Sequence, residues 1–173
     1  MTVSPDTLRN LFIDGLKNAH ALENQALSIM KPQVERIENY PAMAEQLRLH
    51  IGETNGQIER LETLLDGLGT SHSAIKDAAL SLSGSMAAIA HSFAGDEILK
   101  NTFANHAFEN FEIASYRSLI AMADAGDFSN ATSALRQTLS EEERMAQWIY
   151  EHTPQITLQY AALYEQSGSN AKV

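Results

Sequence analysis

The sequence predicts an all-α protein built as a bundle of four helices. Apolar residues recur at intervals of three and four over most of the 173 residues, which is the period of an amphipathic helix. The helix-breaking residues are scarce, with 9 glycines and 4 prolines. Stretches that alternate apolar and polar residues, as half-buried strands do, are absent from the sequence. The length is that of one domain, so residues 1–173 are expected to share one core.

The first two helices form a predicted hairpin. Ser4 followed by Pro5 is typical of a helix start, so the first helix is predicted over 5–39, ending just before Pro41. The second is predicted over 42–67, with Gly67 and Gly69 at its end. Such a short connection makes the two helices antiparallel neighbours.

A second hairpin follows after a long connection. Residues 70–95 are rich in Ser, Ala and Gly and are predicted to be a crossover containing a short amphipathic helix. The third helix is predicted over 96–124 and the fourth over 128–153, where Pro154 is expected to interrupt it. The tail, residues 155–173, has enough apolar residues for a last helix. Two hairpins joined by one crossover give the ferritin-like four-helix bundle; the alternative is an up-down-up-down bundle with a decorated loop.

The composition excludes several classes of site. The chain has no cysteine, so disulfides, iron–sulfur clusters and thiolate zinc sites are excluded and a cytoplasmic location is expected. The sequence has no run of about 18 apolar residues, so no segment is expected to cross a membrane. The amino terminus lacks the basic and apolar regions of a signal peptide. A net charge of -10 disfavours nucleic acid and anionic membranes as partners and favours cations, although acidity can also serve solubility alone.

Three acidic residues fall within the apolar stripes of their helices. Glu23 follows Phe12, Leu16 and Ala19 at steps of three and four, and Glu112 and Glu142 occupy the same kind of position in the third and fourth helices. A single buried acid is commonly an ion-paired one, because an unpaired buried carboxylate is costly. Acids on several helices indicate a shared site instead.

The second and third helices contribute paired ligands. His50 and Glu53 share a helix face at positions i and i+3, as do Glu109 and Glu112. The acids of the two hairpins have equal separations, since Glu53 follows Glu23 by 30 positions and Glu142 follows Glu112 by 30. Two hard cations would offset the repulsion among such acids. The predicted metal ligands are Glu23, His50, Glu53, Glu109, Glu112 and Glu142.

Several neighbouring residues leave alternatives open. Glu141 or Glu143 would replace Glu142 as the ligand if the register of the fourth helix differs by one. His20 and His106 lie one turn before predicted ligands and are either supporting partners or ordinary histidines. Tyr116 is either a core residue or a hydrogen-bond donor to a ligand, and Gln57 is placed to orient Glu53.

The motifs on these helices resemble those of the YciF-like family of ferritin-like bacterial stress proteins. The stretch from His50 to Leu61 resembles the family signature, Glu109–Tyr116 is similar to its Glu-His-Tyr-Glu-Ile-Ala-x-Tyr motif, and Leu139–Glu143 to its acidic run. The likeness covers roughly residues 7–150. It implies a rubrerythrin-like fold and a di-iron or other di-metal centre, whereas the family's activity is poorly defined.

The chain departs from the usual ferritin pattern at the histidines. That pattern has Glu-x-x-His on the second and fourth helices, but Gly56 and Met145 occupy the histidine positions here. Asn110 stands where the family motif has histidine on the third helix. A standard two-histidine di-iron site is therefore not expected.

Three functions fit these residues. The first is a metal-binding bundle that acts as a structural or stress-response protein, the second a di-iron enzyme that reduces oxygen or peroxide, and the third iron storage, which needs a hollow shell. The expected cofactor is two iron ions, with manganese or zinc as alternatives.

Apolar residues outside the four helices predict a homodimer. The crossover contributes Leu80, Leu82, Met86 and Ile89, and the tail contributes Ile156, Leu158, Tyr160, Leu163 and Tyr164. Exposed apolar surface of this kind is typical of an interface, and twofold pairing is the commonest way to cover it. The alternative is that the crossover and tail cover their own bundle.

Overall fold

A computed structural model of the chain describes residues 3–70, 95–167, 171 and 173. Within these ranges the structure is entirely helical, as the sequence predicted. The helices are α1 (Pro5–Arg36), α2 (Pro41–Gly67), α3 (Glu97–Ala125) and α4 (Ser129–Ser167). The predicted crossover and its short helix lie outside the described residues, apart from the two ends of that segment. None of the helices in the described ranges is long and apolar enough to cross a membrane.

The chemistry of the helix ends explains most of the boundaries. The Ser4 side chain accepts a hydrogen bond from the Thr7 amide at 3.2 Å, which caps the start of α1 next to Pro5. α1 ends at Arg36 rather than at residue 39, because Ile37 adopts an extended conformation. Gly69 follows α2 with a φ of 72°, a left-handed conformation that glycine adopts without steric cost.

Contacts between α1 and α3 show that these helices are antiparallel. Near one end of the bundle the side-chain amides of Gln33 and Asn105 exchange hydrogen bonds of 2.9 and 3.2 Å. Further along, Tyr116 donates to Glu23. Tyr116, the later residue of α3, therefore contacts Glu23, the earlier residue of α1, so the two helices run in opposite directions.

The pair α2 and α4 is antiparallel as well. Gln46 contacts Met145, and Arg60 donates to Thr138 at 3.1 Å. Since α1 and α2 form one hairpin and α3 and α4 another, α2 ends and α3 begins at opposite ends of the bundle. The chain between them has to travel the bundle's length. This is the ferritin-like order, and the up-down-up-down alternative is excluded.

Two apolar clusters occupy the two halves of the bundle interior. One is built around Phe12, Leu16, Leu65, Leu119 and Leu135. The other is built around Met30, Met43, Leu47, Phe108 and Ile149. On α3 and α4 the acidic residues that interrupt the stripes lie between the positions that supply these clusters, and Glu23 of α1 lies where the two clusters meet. Their site is thus enclosed by apolar packing on both sides.

The prediction that Pro154 interrupts the fourth helix is wrong. α4 continues through Pro154 to Ser167. A proline inside a helix removes a hydrogen bond and costs about 3 kcal/mol. Beyond the proline, Ile156 is buried in the second apolar cluster. Burial of this face keeps the helix intact.

The tail is partly covered by the chain itself. Tyr160 and Leu163 pack against the cluster that contains Ile156, whereas Leu158 and Tyr164 are 71% and 56% exposed. At the carboxyl end, Ala171 accepts a hydrogen bond from the Tyr40 hydroxyl at 2.6 Å. Much of the tail surface that predicted a dimer is therefore used within one chain.

Candidate metal centre

Five of the six predicted ligands lie together in the interior, between the two apolar clusters. Each is at most 3% exposed, although four of them are acids. All four helices contribute to this group. α1 provides Glu23, α2 provides His50, α3 provides Glu109 and Glu112, and α4 provides Glu142.

His50 lies at the centre of this group. Its Nε2 is 3.2 Å from Oε2 of Glu109 and 3.4 Å from Oε2 of Glu142. One ligand atom from each of these three residues lies within 4.8 Å of the others. An imidazole nitrogen and two carboxylate oxygens are donor types that transition metals bind.

Glu53, the sixth predicted ligand, lies at the edge of this group rather than inside it. It is partly exposed, and its Oε2 lies 3.1 Å from Nδ1 of His50. Its Oε1 accepts a 2.8 Å hydrogen bond from Arg144 of α4. The hydrogen bond with His50 holds the pKa of the Glu53 carboxyl below its ordinary value. Glu53 therefore fixes His50 from outside the cluster.

The contact with Glu53 determines which nitrogen of His50 can bind a metal. When Nδ1–H donates to Glu53, the lone pair of Nε2 points toward Glu109 and Glu142. A histidine ligand commonly donates its other N–H to a carboxylate in this way, which fixes the ring and its tautomer. Without a metal, Nε2 satisfies the two carboxylates only by carrying a proton. The geometry therefore suits either a protonated His50 or a bound cation.

Glu112 is buried without a hydrogen-bond donor. Its side chain is fully buried, and neither carboxyl oxygen has a hydrogen-bond partner among the described residues. The Oε2 atoms of Glu109 and Glu142 likewise lack a well-aligned donor within that part of the chain, since the His50 contacts satisfy distance but not angle. Buried carboxyl oxygens of native proteins are normally satisfied. Four such oxygens at one place fit a group that supplies positive charge.

Glu23 is held by Tyr116. The phenol of Tyr116, which is fully buried, donates a hydrogen bond to Oε1 of Glu23. Burial and the nearby Glu23 carboxylate raise the pKa of Tyr116 well above its ordinary value, so the phenol keeps its proton. Of the two roles left open for Tyr116, the hydrogen bond to a predicted ligand is therefore present, and the ring also belongs to the core.

The register of α4 places Glu142, rather than a neighbour, in the cluster. Glu141 faces α2 and accepts a hydrogen bond from Arg60. Glu143 points outward and pairs with Arg117 of α3 at 2.8 Å. Gln57, which was expected to orient Glu53, instead donates to both Glu141 and Glu142.

The electrostatics of the metal-free cluster favour bound protons. Burial is the main cause that raises the pKa of Glu23 and Glu112 well above the ordinary value and that of Glu109 to about 7. For His50, burial alone would lower the pKa, but the Glu109 carboxylate and the close carboxylates of Glu142 and Glu53 raise it well above the usual range. A metal would have to displace these protons.

The other two histidines considered as ligands lie elsewhere. His20 contacts Glu62 of α2 at 3.2 Å. His106 lies beside Asn110 and Tyr150 at the outer side of α3 and α4. His20 is buried beside α2 and His106 is half-buried.

Sequence reasoning missed the arginines that support the site. Arg60 and Arg144 hold Glu141 and Glu53 across the α2–α4 contact. Spacing within one helix cannot reveal them, because each pair joins different helices. One signal in the sequence is the run of three acids from Glu141 to Glu143. These acids point to different faces of the fourth helix, so they need basic partners on different neighbouring helices.

The residues present therefore fit a metal centre. His50, Glu109 and Glu142 offer one ligand atom each within 4.8 Å of one another, and the buried carboxyl groups of Glu23 and Glu112 add further negative charge that a cation would offset. The class of protein that the fold and this cluster define is a ferritin-like helical bundle with a carboxylate-rich core.

The chain belongs to the family described as Domain of unknown function (DUF892), whose model matches residues 7–162. Protein YciF of Escherichia coli (strain K12) is 25% identical over 148 residues, which are 79% of this chain and 84% of that protein. The resemblance to the YciF-like family is thus confirmed.

Solved structures show the same fold. A protein from Xanthomonas campestris pv. campestris has a TM-score of 0.76 and 26% identity over 91% of this chain and 99% of that one. YcfI from Rhodopseudomonas palustris has a TM-score of 0.63 and 25% identity, covering 83% of this chain and 92% of that chain. The structure titled as the E. coli stress protein YciF has a TM-score of 0.67 and 22% identity, covering 84% and 94%.

Proposed function

We propose that the protein is a metal-binding member of its family, in which Glu23, His50, Glu109, Glu112 and Glu142 bind two metal ions in the core. The observation that carries the proposal is the set of buried carboxyl oxygens around His50 for which the described residues provide no hydrogen-bond donor. Iron is the expected metal, and manganese and zinc suit the same oxygen and nitrogen donors.

The main role that follows is structural. Bound cations offset the repulsion among four buried acids, which otherwise fold only with protons in place. Binding to the native cluster and not to the unfolded chain stabilises the bundle. One relative is titled a stress protein, which supports a role under stress for this chain, and the cytoplasmic location expected from its lack of cysteine remains part of the proposal.

Metal content and metal-dependent stability test this proposal. The chain should be purified from iron-replete cells, stripped with a chelator, and titrated with Fe²⁺, Mn²⁺ and Zn²⁺ while heat release and melting temperature are followed. We expect two ions per chain and a higher melting temperature with metal. Glu142→Gln should lose at least one ion, whereas the matched control Glu143→Gln, one position away on the outer face, should bind like the wild type. Identical melting temperatures with and without chelator would contradict the proposal.

A second function is supported by Tyr116. A fully buried tyrosine that donates to a predicted ligand is a group from which an electron and a proton can leave together. Two iron ions would supply the redox chemistry of an enzyme that reduces oxygen or peroxide. The test is the rate of peroxide consumption by the iron-loaded protein with an electron donor, compared with that of Glu142→Gln. If the protein consumes peroxide no faster than free iron does, the enzymatic role is excluded and the structural role remains.

A further inference from the structure

Gln57 of α2 connects two acidic residues of α4. It is fully buried, and its side-chain amide donates a hydrogen bond of 3.1 Å to Oε2 of Glu141 and another to Oε1 of Glu142. Glu142 belongs to the proposed metal centre, whereas Glu141 lies outside it. The amide of Gln57 therefore links a proposed ligand to a carboxylate that has no part in metal binding.

The two carboxylates determine the orientation of the amide. A side-chain amide nitrogen has two hydrogens to donate, and here both are used. Turning the amide of Gln57 by 180° would place its carbonyl oxygen against two carboxylates, which accept hydrogen bonds and do not donate them. The NH2 group is therefore held toward α4.

Glu141 is itself fixed by donors other than Gln57. It accepts a hydrogen bond from the guanidinium of Arg60, which also donates to Thr138 at 3.1 Å. A further hydrogen bond of 3.0 Å comes from Gln137, one turn earlier on α4. A buried acid with this many donors, one of them a guanidinium, is satisfied without a metal. Glu141 thus serves as a fixed partner for Gln57.

Two members of the metal centre are held by the same kind of connection between α2 and α4. For His50, an arginine of α4 holds a glutamate of α2, which contacts the imidazole. For Glu142, Arg60 of α2 holds Glu141 of α4, and Gln57 provides the last link. In both cases an arginine orients a buried ligand through an intervening carboxylate. Outer partners of this kind commonly determine how a ligand presents its donor atoms to a metal.

The link to Gln57 occupies one of the two carboxyl oxygens of Glu142. Oε1 accepts the hydrogen bond from Gln57. Oε2 lies 3.4 Å from Nε2 of His50 and has no aligned donor among the described residues. A cation that bound both oxygens would compete with the hydrogen bond from Gln57. Glu142 is therefore arranged to bind a metal through Oε2 alone.

The number of oxygens that Glu142 offers affects which metal the centre accepts. Ca²⁺ takes about six to eight oxygen ligands and often binds both oxygens of one carboxylate. Zn²⁺ needs only about four ligands and accepts imidazole nitrogen together with single carboxylate oxygens. Limiting Glu142 to one oxygen therefore disfavours Ca²⁺ more than it disfavours Zn²⁺ or another transition metal.

We infer that Gln57 is a positioning residue of the metal centre, which limits Glu142 to one metal-binding oxygen and thereby favours transition metals over Ca²⁺. This inference rests on the proposed binding of metal by Glu142. It adds a role for a residue that does not itself bind the metal, and a source of metal selectivity.

Replacing Gln57 with leucine tests the inference. Leucine fills a similar volume but cannot donate a hydrogen bond, so Glu142 becomes free to turn and to use both oxygens. The full chain should be stripped of metal and titrated with Zn²⁺, Ca²⁺ and Co²⁺. We expect the affinity for Zn²⁺ to weaken about 10–100-fold, as is usual when an outer partner is lost. The affinity for Ca²⁺ should fall less or rise, so that the ratio of the two affinities moves toward Ca²⁺.

The visible absorption spectrum of the Co²⁺ complex provides a second measurement. This spectrum depends on the number and geometry of the ligands, so it should change when Glu142 adds a second oxygen. If Gln57 served only to stabilise the fold, neither the spectrum nor the ratio of Zn²⁺ to Ca²⁺ affinity would change. Circular dichroism verifies that each variant is folded.

Two further variants serve as controls. Gln137→Leu removes another amide donor of Glu141 but none of Glu142, and it should bind metals like the wild type. Arg60→Gln loosens Glu141 at the other end of the connection and should produce the same changes as Gln57→Leu, but smaller ones. The Arg60 side chain is 22% exposed, so this variant decides the question if Gln57→Leu does not fold.

Two outcomes would overturn the inference. If the wild type binds metal and the folded variant shows an unchanged Co²⁺ spectrum and an unchanged affinity ratio, Gln57 does not position Glu142, although the proposed metal binding stands. If the wild type binds none of the three metals, the proposed metal binding and the role of Gln57 are both wrong.

Discussion

Nε2 of His50 lies 3.4 Å from Oε2 of Glu142, although the two residues belong to different hairpins of the chain. The first hairpin provides Glu23 and His50, and the second provides Glu109, Glu112 and Glu142. Neither hairpin alone holds all five of the residues that we propose as ligands. The centre therefore exists only where the two hairpins are docked.

Replacing Glu112 with glutamine should separate metal binding from stability. Because burial raises the pKa of Glu112 and neither of its oxygens has a donor in the described part of the chain, the acid is costly without metal. Glutamine is uncharged and can donate to a neighbouring carboxylate. We expect less metal per chain and a metal-free melting temperature several degrees higher, at about 2–4 °C per kcal/mol for a chain of this size.

Calorimetry of the metal-free proteins measures this effect. Glu143→Gln removes an exposed acid from the outer side of α4 and should leave the metal content and the metal-free melting temperature nearly unchanged. A lower melting temperature for Glu112→Gln than for the wild type would show that Glu112 does not destabilise the metal-free bundle.

Arg144→Gln should weaken metal binding although Arg144 does not reach the metal centre. Its guanidinium holds Glu53, which in turn fixes His50 through Nδ1. Loss of such an outer partner typically weakens metal affinity 10–100-fold. Stability without metal should change by at most about 1 kcal/mol, because the Arg144–Glu53 ion pair is largely exposed. Arg136→Gln, which breaks another exposed pair on α4, is the control, and equal affinities of the two variants would exclude a supporting role for Arg144.

The stability of the metal-free protein should fall as pH rises through about 7. The pKa of Glu109 is raised from 4.5 to about 7 by burial, so the protonated native state is favoured below 4.5 and the advantage is lost as pH rises through 7. His50, whose pKa is raised as well, adds a loss of the same sign. The pKa of Glu53 is lowered, so its contribution to stability has the opposite sign. That contribution is lost only in acid, when the pH falls below the ordinary pKa of a glutamate. Melting temperatures between pH 5 and pH 8 measure the trend.

Metal affinity should have the opposite dependence on pH. Cations displace protons from the cluster, so binding should strengthen as pH rises from 5 to 8 and should release protons that calorimetry in two buffers can count. A constant affinity over this range would contradict ligation by the protonated acids and His50.

Tyr116→Phe should destabilise the metal-free bundle. Phenylalanine keeps the packing but leaves Oε1 of Glu23 without its donor, a loss of about 1–3 kcal/mol for a buried polar group. The matched control is Tyr150→Phe, since Tyr150 is 67% exposed. With metal bound, the difference between the variants should shrink, because Glu23 then has a cation as its partner. An undiminished difference would place Glu23 outside the metal site.

The sequence predicted the four helices well because burial follows a helical period. Acids within apolar stripes also located the interior cluster, since a carboxylate at a buried position can be recognised from its neighbours, as with Glu23 and Glu142. Glu53 is less buried than the other predicted ligands, because two residues that share a helix face still differ in how deeply each is buried. The Glu53–Arg144 pair depends on the rotation of α4 against α2, which no pattern within one helix reveals.

Pro154 shows the other limit of prediction. The local cost of a proline suggested a helix end, but Ile156 and its neighbours gain enough from burial against the second apolar cluster to keep the helix continuous. That gain is a tertiary effect and depends on residues of α1, α2 and α3.

The antiparallel order of all neighbouring helices has a kinetic consequence. Each hairpin joins residues close in sequence and can form early, whereas docking of the hairpins closes a loop of roughly 30 residues and comes later. A cation that needs ligands from both hairpins binds only after this step. Metal should therefore slow the unfolding rate of the bundle while leaving its refolding rate unchanged.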